Sequence, residues 1–184
     1  MIEITSSCIG VESLTQPEFL DFLSYWEGLR GDRIAPSWSE IELIEMPARV
    51  LPYLTVVDVC PVPLDFIYSF YGTGHMSLKA RDLTGHSIRD ARPSENGPIV
   101  FDQYRRVVEA RKPMAFVRKF TDTGSDQDLT QVTLRLPLSS DNENIQWIMS
   151  LSDLRNSPDM RDFYETYGRD RPFRATTVRR AGAV

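Results

Sequence analysis

FYGTGHMSLKARDLTG, residues 70–85, runs from an aromatic, strand-like stretch into a glycine pair and on to a second glycine turn. A glycine pair in that place either cradles phosphate or bends the chain out of a strand into a short helix. A phosphate loop needs a longer glycine run ending in Lys-Ser or Lys-Thr, so that amides wrap the phosphates and the lysine neutralises them. Here Lys79 is followed by Ala80, and Gly72 and Gly74 stand only two apart. A dinucleotide fingerprint needs a third glycine before a full crossover helix and a parallel strand. HMSLKAR, residues 75–81, supports one or two helical turns only. The bend is the better reading, with Gly72 and Gly74 letting the chain leave the strand without a Cβ clash.

On either side, the pattern is that of strands in hairpins. YLTVVDV (53–59) and DFIYSFY (65–71) are rich in β-branched and aromatic residues and are joined by the proline turn CPVPLD. Phe66, Tyr68 and Phe70 then share one face. Past the bend, PIVFDQYRRVVEAR (98–111) reads as a helix with Pro98 at its first position; Val100, Tyr104, Val107, Val108 and Arg111 line one side. Three more strands follow at 114–120, 129–138 and 145–151. In the second of these, Val132, Leu134 and Leu136 alternate with Gln131, Thr133 and Arg135. The loops TDTGSDQD and SSDNEN close the hairpins, and Asp122, Asp126 and Asp128 read as polar loop residues rather than a calcium loop, which would need a glycine and a distal glutamate. Upstream, TQPEFLDFLSYWEGLR (15–30) reads as a helix with Thr15 and Glu18 at capping-box spacing and Pro17 in its first turn. Its stripe of Phe19, Phe22, Leu23, Trp26 and Leu29, widened by Leu20 and Tyr25, must be covered by the chain's own sheet or by a second copy. Gly31 caps it, and Asp32 and Arg33 anchor the loop beyond. Strands and helices in this order define an α+β layout, one antiparallel sheet with helices on one side.

The bulk numbers bound the function. The chain has 184 residues, 41% hydrophobic and 26% charged, enough for one domain with its own core. A net charge of −5 argues against wrapping nucleic acid. The arginine-rich residues 155–184 carry +3 against −8 elsewhere and read as a solvated tail. Cys8 and Cys60 suit a reducing compartment and cannot alone frame a zinc site. No stretch is long and apolar enough for a membrane span, and MIEITSSCIG lacks a signal-peptide pattern, so a cytoplasmic setting is expected.

The order of elements and several stretches resemble the PAS domain, in the compact, largely alphaproteobacterial type that makes up most of its own protein. The matching stretches are WEGLRGDRIAPSWSEI (26–41), LPYLTVVDV (51–59), FIYSFYGTG (66–74), RDLTGHSI (81–88), YRRVVEARKPM (104–114) and LRLPLS (134–139). The chain departs from that type at Trp38 and Leu43, both in the segment between the N-terminal helix and the sheet. The resemblance implies a five-stranded antiparallel sheet in the order 2-1-5-4-3, with short helices over one face. The corresponding division is an N-terminal helix and connecting segment at 1–40, a PAS core at 41–154, and a tail at 155–184. It also implies a non-enzymatic sensory or regulatory module in bacterial signalling, acting through a small organic ligand, a signalling protein partner, or both. Many such domains dimerise through an N-terminal helix, so Phe19, Phe22, Leu23, Trp26 and Leu29 are the expected homodimer interface. With about 30 residues after the core, output is expected to pass through a partner.

Among candidate chemistries, His75 and His86 are the two histidines, and neither has a nucleophile motif beside it. Haem ligation by one of them lacks a distal pattern, and the flavin photosensor cysteine is missing from HMSLKARDL. The ligand or cofactor is therefore unknown. Tyr68, Phe70, Met76, Tyr104, Val132, Leu134, Trp147 and Met149 are expected either to line a cavity between sheet and helices or to fill it as core; periodicity does not separate the two. The alternative function is a small-molecule enzyme on a cavity-bearing α+β fold, with His75 or His86 facing an acid.

Overall fold

The computed structural model describes residues 2–79, 81–91, 94, 96–122, 127–154 and 158–167. Its strands are β1 (Ile2–Ile9), β2 (Leu54–Pro61), β3 (Leu64–Tyr71), β4 (Met114–Asp122), β5 (Gln127–Leu138) and β6 (Trp147–Ser152). They form one sheet in the order β1-β4-β5-β6-β2-β3, every pair antiparallel. The five strands read from the sequence stand in the expected 2-1-5-4-3 order. The sixth, β1, is an addition: the first residues, placed with the helix and its connecting segment by the sequence reading, pair with β4 from Ile2↔Asp122 to Ile9↔Ala115. Of the three aspartates read as loop residues, Asp122 ends β4 and Asp128 stands in β5, while Asp126 lies outside the described residues.

The helices are α1 (Pro17–Arg30), α2 (Thr73–Lys79), α3 (Asn96–Ala110) and α4 (Pro158–Tyr167). They cover both faces of the sheet, where helices on one side were expected, because α1 packs on the face opposite α3. α1 lies on one face, where Phe19, Phe22 and Trp26 pack with Leu54, Val56, Leu134, Leu136, Leu138, Met149 and Leu151. Each aromatic of that size removes enough area from water to contribute roughly 4–6 kcal/mol before entropy is set against it. Trp26 adds a directional tie: its Nε1–H donates to the Pro137 carbonyl at 2.7 Å. Gly31 (φ 55°) ends the helix as expected, but the starting cap is Gln16, not Thr15, and it makes no side-chain cap bond. The capping box lies further on. Ser37 and Glu40 cap a short turn at Trp38–Glu40, and Glu40 also accepts two bonds from Arg33, at 2.7 and 2.9 Å.

This packing revises the interface expected for α1. Phe19, Phe22 and Trp26 are buried inside the chain, and Leu23 packs against the same cluster. Phe19, Phe22 and Trp26 are covered by the sheet and offer a second copy no free surface, while Leu23 and Leu29 are half-buried. Leu20, on the other side, is 45% exposed.

The glycine bend is a close backbone approach. A Cβ on Gly72 would stand 2.4 Å from the Pro52 carbonyl oxygen, and one on Gly74 would stand 2.7 Å from the Tyr53 ring. The Gly72 amide donates to the Leu54 carbonyl at 2.9 Å. The stretch Asp82-Leu83-Thr84-Gly85 is equally structural. Asp82 accepts from the Thr84 amide and hydroxyl, Leu83 is buried, and Gly85 (φ 79°) donates its amide to the Tyr68 carbonyl at 2.7 Å.

Candidate ligand pocket

The face under α2 and α3 is built differently from the face under α1. At one end is an apolar cluster of Val57, Phe66, Tyr68, Ile88, Val107, Phe116 and Ile148. At the other, Ile4, Ile99, Phe120, Met160, Phe163 and Tyr164 form a second, which brings α4 onto the domain. Between them runs a buried polar band. It comprises Arg118 from β4, Gln131, Thr133 and Arg135 from β5, Ser150 and Ser152 from β6, and Asn96 and Gln103 from α3. The strand register assembles it, because Arg118 stands opposite Gln131, Thr133 opposite Ser152, and Arg135 opposite Ser150.

The band is held by neutral partners. Arg135 donates Nη2–H to the Gln103 side-chain oxygen at 2.7 Å and Nη1–H to the Ser150 hydroxyl at 2.9 Å. Gln103 in turn donates to the Ser6 hydroxyl of β1 at 2.8 Å. Arg118 donates to Asn96 at 3.2 Å and to Gln131. Among the described residues none of Arg118, Arg135 and Lys79 makes an ion pair. Taking a guanidinium such as Arg118 or Arg135 out of water costs several kcal/mol, and neutral acceptors offset only part of it, while Lys79 is half-buried.

Beside the two guanidiniums lies a cavity of about 20 Å³, lined by Thr55, Tyr68, Tyr71, His75, Lys79, Asn96, Tyr104, Arg118, Arg135 and Ser152, with Ala91 and Val100. Three lining residues are basic and none is acidic. Several buried polar atoms in this region have no partner: the Arg118 Nε, the Tyr71 hydroxyl, the His75 Nδ1 and, close to Arg118, the Tyr164 hydroxyl. The Lys79 ammonium lies 5.9 Å from the Tyr71 ring centroid and 5.3 Å from that of Tyr164 on α4. Burial, reinforced by Arg118 and Arg135, pulls the Lys79 pKa down to about 7. Burial, and behind it Arg118, lowers Arg135 as well, with Tyr104 acting the other way. His75 is pulled down to about 3 by burial and by Lys79. It is therefore neutral at ordinary pH. Its Nε2 lies 2.9 Å from the Tyr53 carbonyl, which only accepts, so Nε2 carries the proton and Nδ1 is a bare acceptor. Burial raises Tyr68, Tyr71 and Tyr164, which keep their hydroxyl protons.

The eight residues expected to line one cavity are divided by the sheet. Tyr68 and Tyr104 line the pocket, and Met76 packs against the apolar cluster beside it. Phe70, Val132, Leu134, Trp147 and Met149 belong to the opposite face, under α1. Phe70 changes sides because the register shifts between Val56 and Val57: Val56 pairs with Phe70 and Val57 with Tyr68, leaving Ser69 as the extra residue of a bulge. Tyr71, not Phe70, then joins Phe66 and Tyr68 on the pocket side. The acid–base pair required by the catalytic alternative is not assembled among the described residues. His75 faces no carboxylate in the pocket lining, and His86 lies half-exposed outside it, 3.7 Å from Asp90.

The basic lining went unread in the sequence. The signal was there: Gln131, Thr133 and Arg135 alternate with leucines and valine, and Gln103 interrupts the apolar stripe of α3. A polar set on a strand face that a helix must cover is buried, not solvated.

No family model and no curated protein matches the chain. Among solved structures it is similar to a fungal LOV domain photoreceptor, described as revealing an evolutionarily conserved pathway integrating blue-light and oxidative stress. The identity is 18%, the TM-score 0.43, and the match covers 74% of this chain and 93% of that one. A cysteine-to-valine variant of the fungal photoreceptor VVD is 12% identical, with a TM-score of 0.42, over 76% of this chain and 97% of that one. Both are distant likenesses of backbone course. Among the described residues no helix is long and apolar enough to cross a membrane.

Proposed function

We propose that the chain is a PAS-type sensory or regulatory module whose ligand site is the pocket between the sheet and α2 and α3. One observation carries this reading: buried donors and an acceptor, the Arg118 Nε, the Tyr71 hydroxyl and the His75 Nδ1, line a cavity and lack partners within the protein. Buried polar groups are nearly always satisfied, so a set of unsatisfied ones around a space points to something that fills it. At about 20 Å³ the space suits one or two water-sized groups. Output would run through contact with a protein partner. α4 is the element placed to report occupancy, since Tyr164 and Phe163 dock it beside Lys79 and Phe120.

The test is a fragment screen by amide NMR on the purified chain, using small polar compounds of either charge and of none. Shifts in Tyr71, Lys79, Arg118 and Arg135 that saturate with one compound support the reading. A screen in which no compound moves those amides overturns it.

A further inference from the structure

We propose that this pocket takes a small oxyanion, a carboxylate-like group of a few heavy atoms, with Arg118, Arg135 and Lys79 as its charge partners. The inference rests on the reading of the pocket as a ligand site and names the ligand class.

Charge is the first ground. Three basic residues and no acidic one line the space, and among the described residues none of the three is ion-paired. Asn96, Gln131, Gln103 and Ser150 fix the guanidiniums by accepting their hydrogen bonds without cancelling their charge. The arrangement is pre-organised: the cations are oriented before the anion arrives, and bringing it in compensates their burial rather than adding to it.

Donor count is the second. Arg118 is 5% exposed, yet its Nε–H is unpartnered. Tyr71 is 5% exposed, and its hydroxyl is unpartnered too. Guanidinium N–H and phenol O–H groups match the lone pairs of an oxyanion. The bare Nδ1 of His75 adds one acceptor, suited to a water or hydroxyl accompanying the anion.

Size is the third. About 20 Å³ admits a formate-sized group and excludes a nucleotide or a long acyl chain.

The experiment compares sodium formate with formamide, its neutral isostere, by thermal denaturation of the full chain. Ionic strength is balanced throughout with the sodium salt of a sulfonate too bulky for the cavity. Formate is expected to raise the melting temperature saturably and formamide to leave it unchanged. Arg118→Met and Arg135→Met stand deep in the fold and risk unfolding it, so the deciding variant is Lys79→Met, which keeps an apolar stem between the two tyrosine rings. It is expected to fold, to melt at or above the wild-type temperature without formate, and to weaken formate binding tenfold or more. Equal shifts with formamide and formate would overturn the oxyanion while leaving the pocket a ligand site. So would a Lys79→Met variant with the wild-type response. No shift with either compound would overturn the oxyanion, and in that case the amide NMR screen decides separately whether the pocket binds any ligand.

Discussion

The guanidinium carbon of Arg135 lies 3.8 Å from the ring centroid of Tyr104, so a strand cation sits over the face of a helix aromatic. The ring face carries negative potential and holds the cation in place without neutralising it. Tyr104 stacks in turn with Phe66, at 5.2 Å between centroids. This column joins the apolar cluster to the charged pocket, and it ties the position of α3 to the state of Arg135. Removing the ring by Tyr104→Leu should weaken formate binding several-fold, because the guanidinium loses one wall of its slot. Titration followed by NMR would show it.

Lys79 gives the pocket a pH signature. Its pKa is held at about 7 by burial and by Arg118 and Arg135. The groups facing it add no competing titration near neutrality: His75 is already neutral, with a pKa of about 3, and Tyr68, Tyr71 and Tyr164 are raised from their usual value. The anion binds the ammonium form, so affinity is full below pH 7 and falls as pH rises, by up to about tenfold per unit. Formate itself stays ionised over that range. Ligand-free stability runs the other way. The unfolded lysine holds its proton to about pH 10 while the folded one releases it near 7, so stability rises with pH across that window. Urea midpoints and formate titrations at matched pH values would check both slopes.

Gly72 and Gly28 make opposite predictions for one substitution. Alanine at Gly72 would bring a Cβ within 2.4 Å of the Pro52 carbonyl and 2.7 Å of two more backbone oxygens, none of which is a side chain free to swing away. Gly72→Ala should cost about 1–3 kcal/mol or more. Gly28 sits inside α1 with open space around it, so Gly28→Ala should stabilise by roughly 0.5–1 kcal/mol. Chemical denaturation of the two variants gives the comparison.

The two sheet faces should separate stability from binding. Leu134→Ala empties a fully buried site under α1 and should cost about 2–5 kcal/mol with formate affinity unchanged. Trp26→Phe on the same face loses the bond to Pro137 and should cost about 1–2 kcal/mol. Trp26→Glu would bury a charge there and should abolish folding, not merely association. Circular dichroism melts would distinguish these outcomes.

Much of the architecture was legible because the strands between 53 and 151 are rich in β-branched and aromatic residues and the turns between them carry Gly, Pro and Asp. The face each residue takes was not. Ser69 is one ordinary serine in an aromatic run, yet as a bulge it exchanges Phe70 for Tyr71 in the pocket. β1 was missed because its partner, β4, lies more than a hundred residues away, and local pattern does not report such pairing. In α4, Met160, Phe163 and Tyr164 do keep helical spacing, but the arginines around them gave the segment the look of a solvated tail. The pocket's charge was hidden for a related reason. Arg135 alternates with the apolar residues of its strand, and nothing local shows that a helix covers its face.

The most direct measurement is anomalous diffraction from crystals of the protein soaked in sodium bromide. The account predicts a bromide peak within hydrogen-bonding reach of Arg118, Arg135 and Lys79, inside the pocket under α3. Bromide found only on the outer surface, with the pocket closed or filled by water alone, would contradict it.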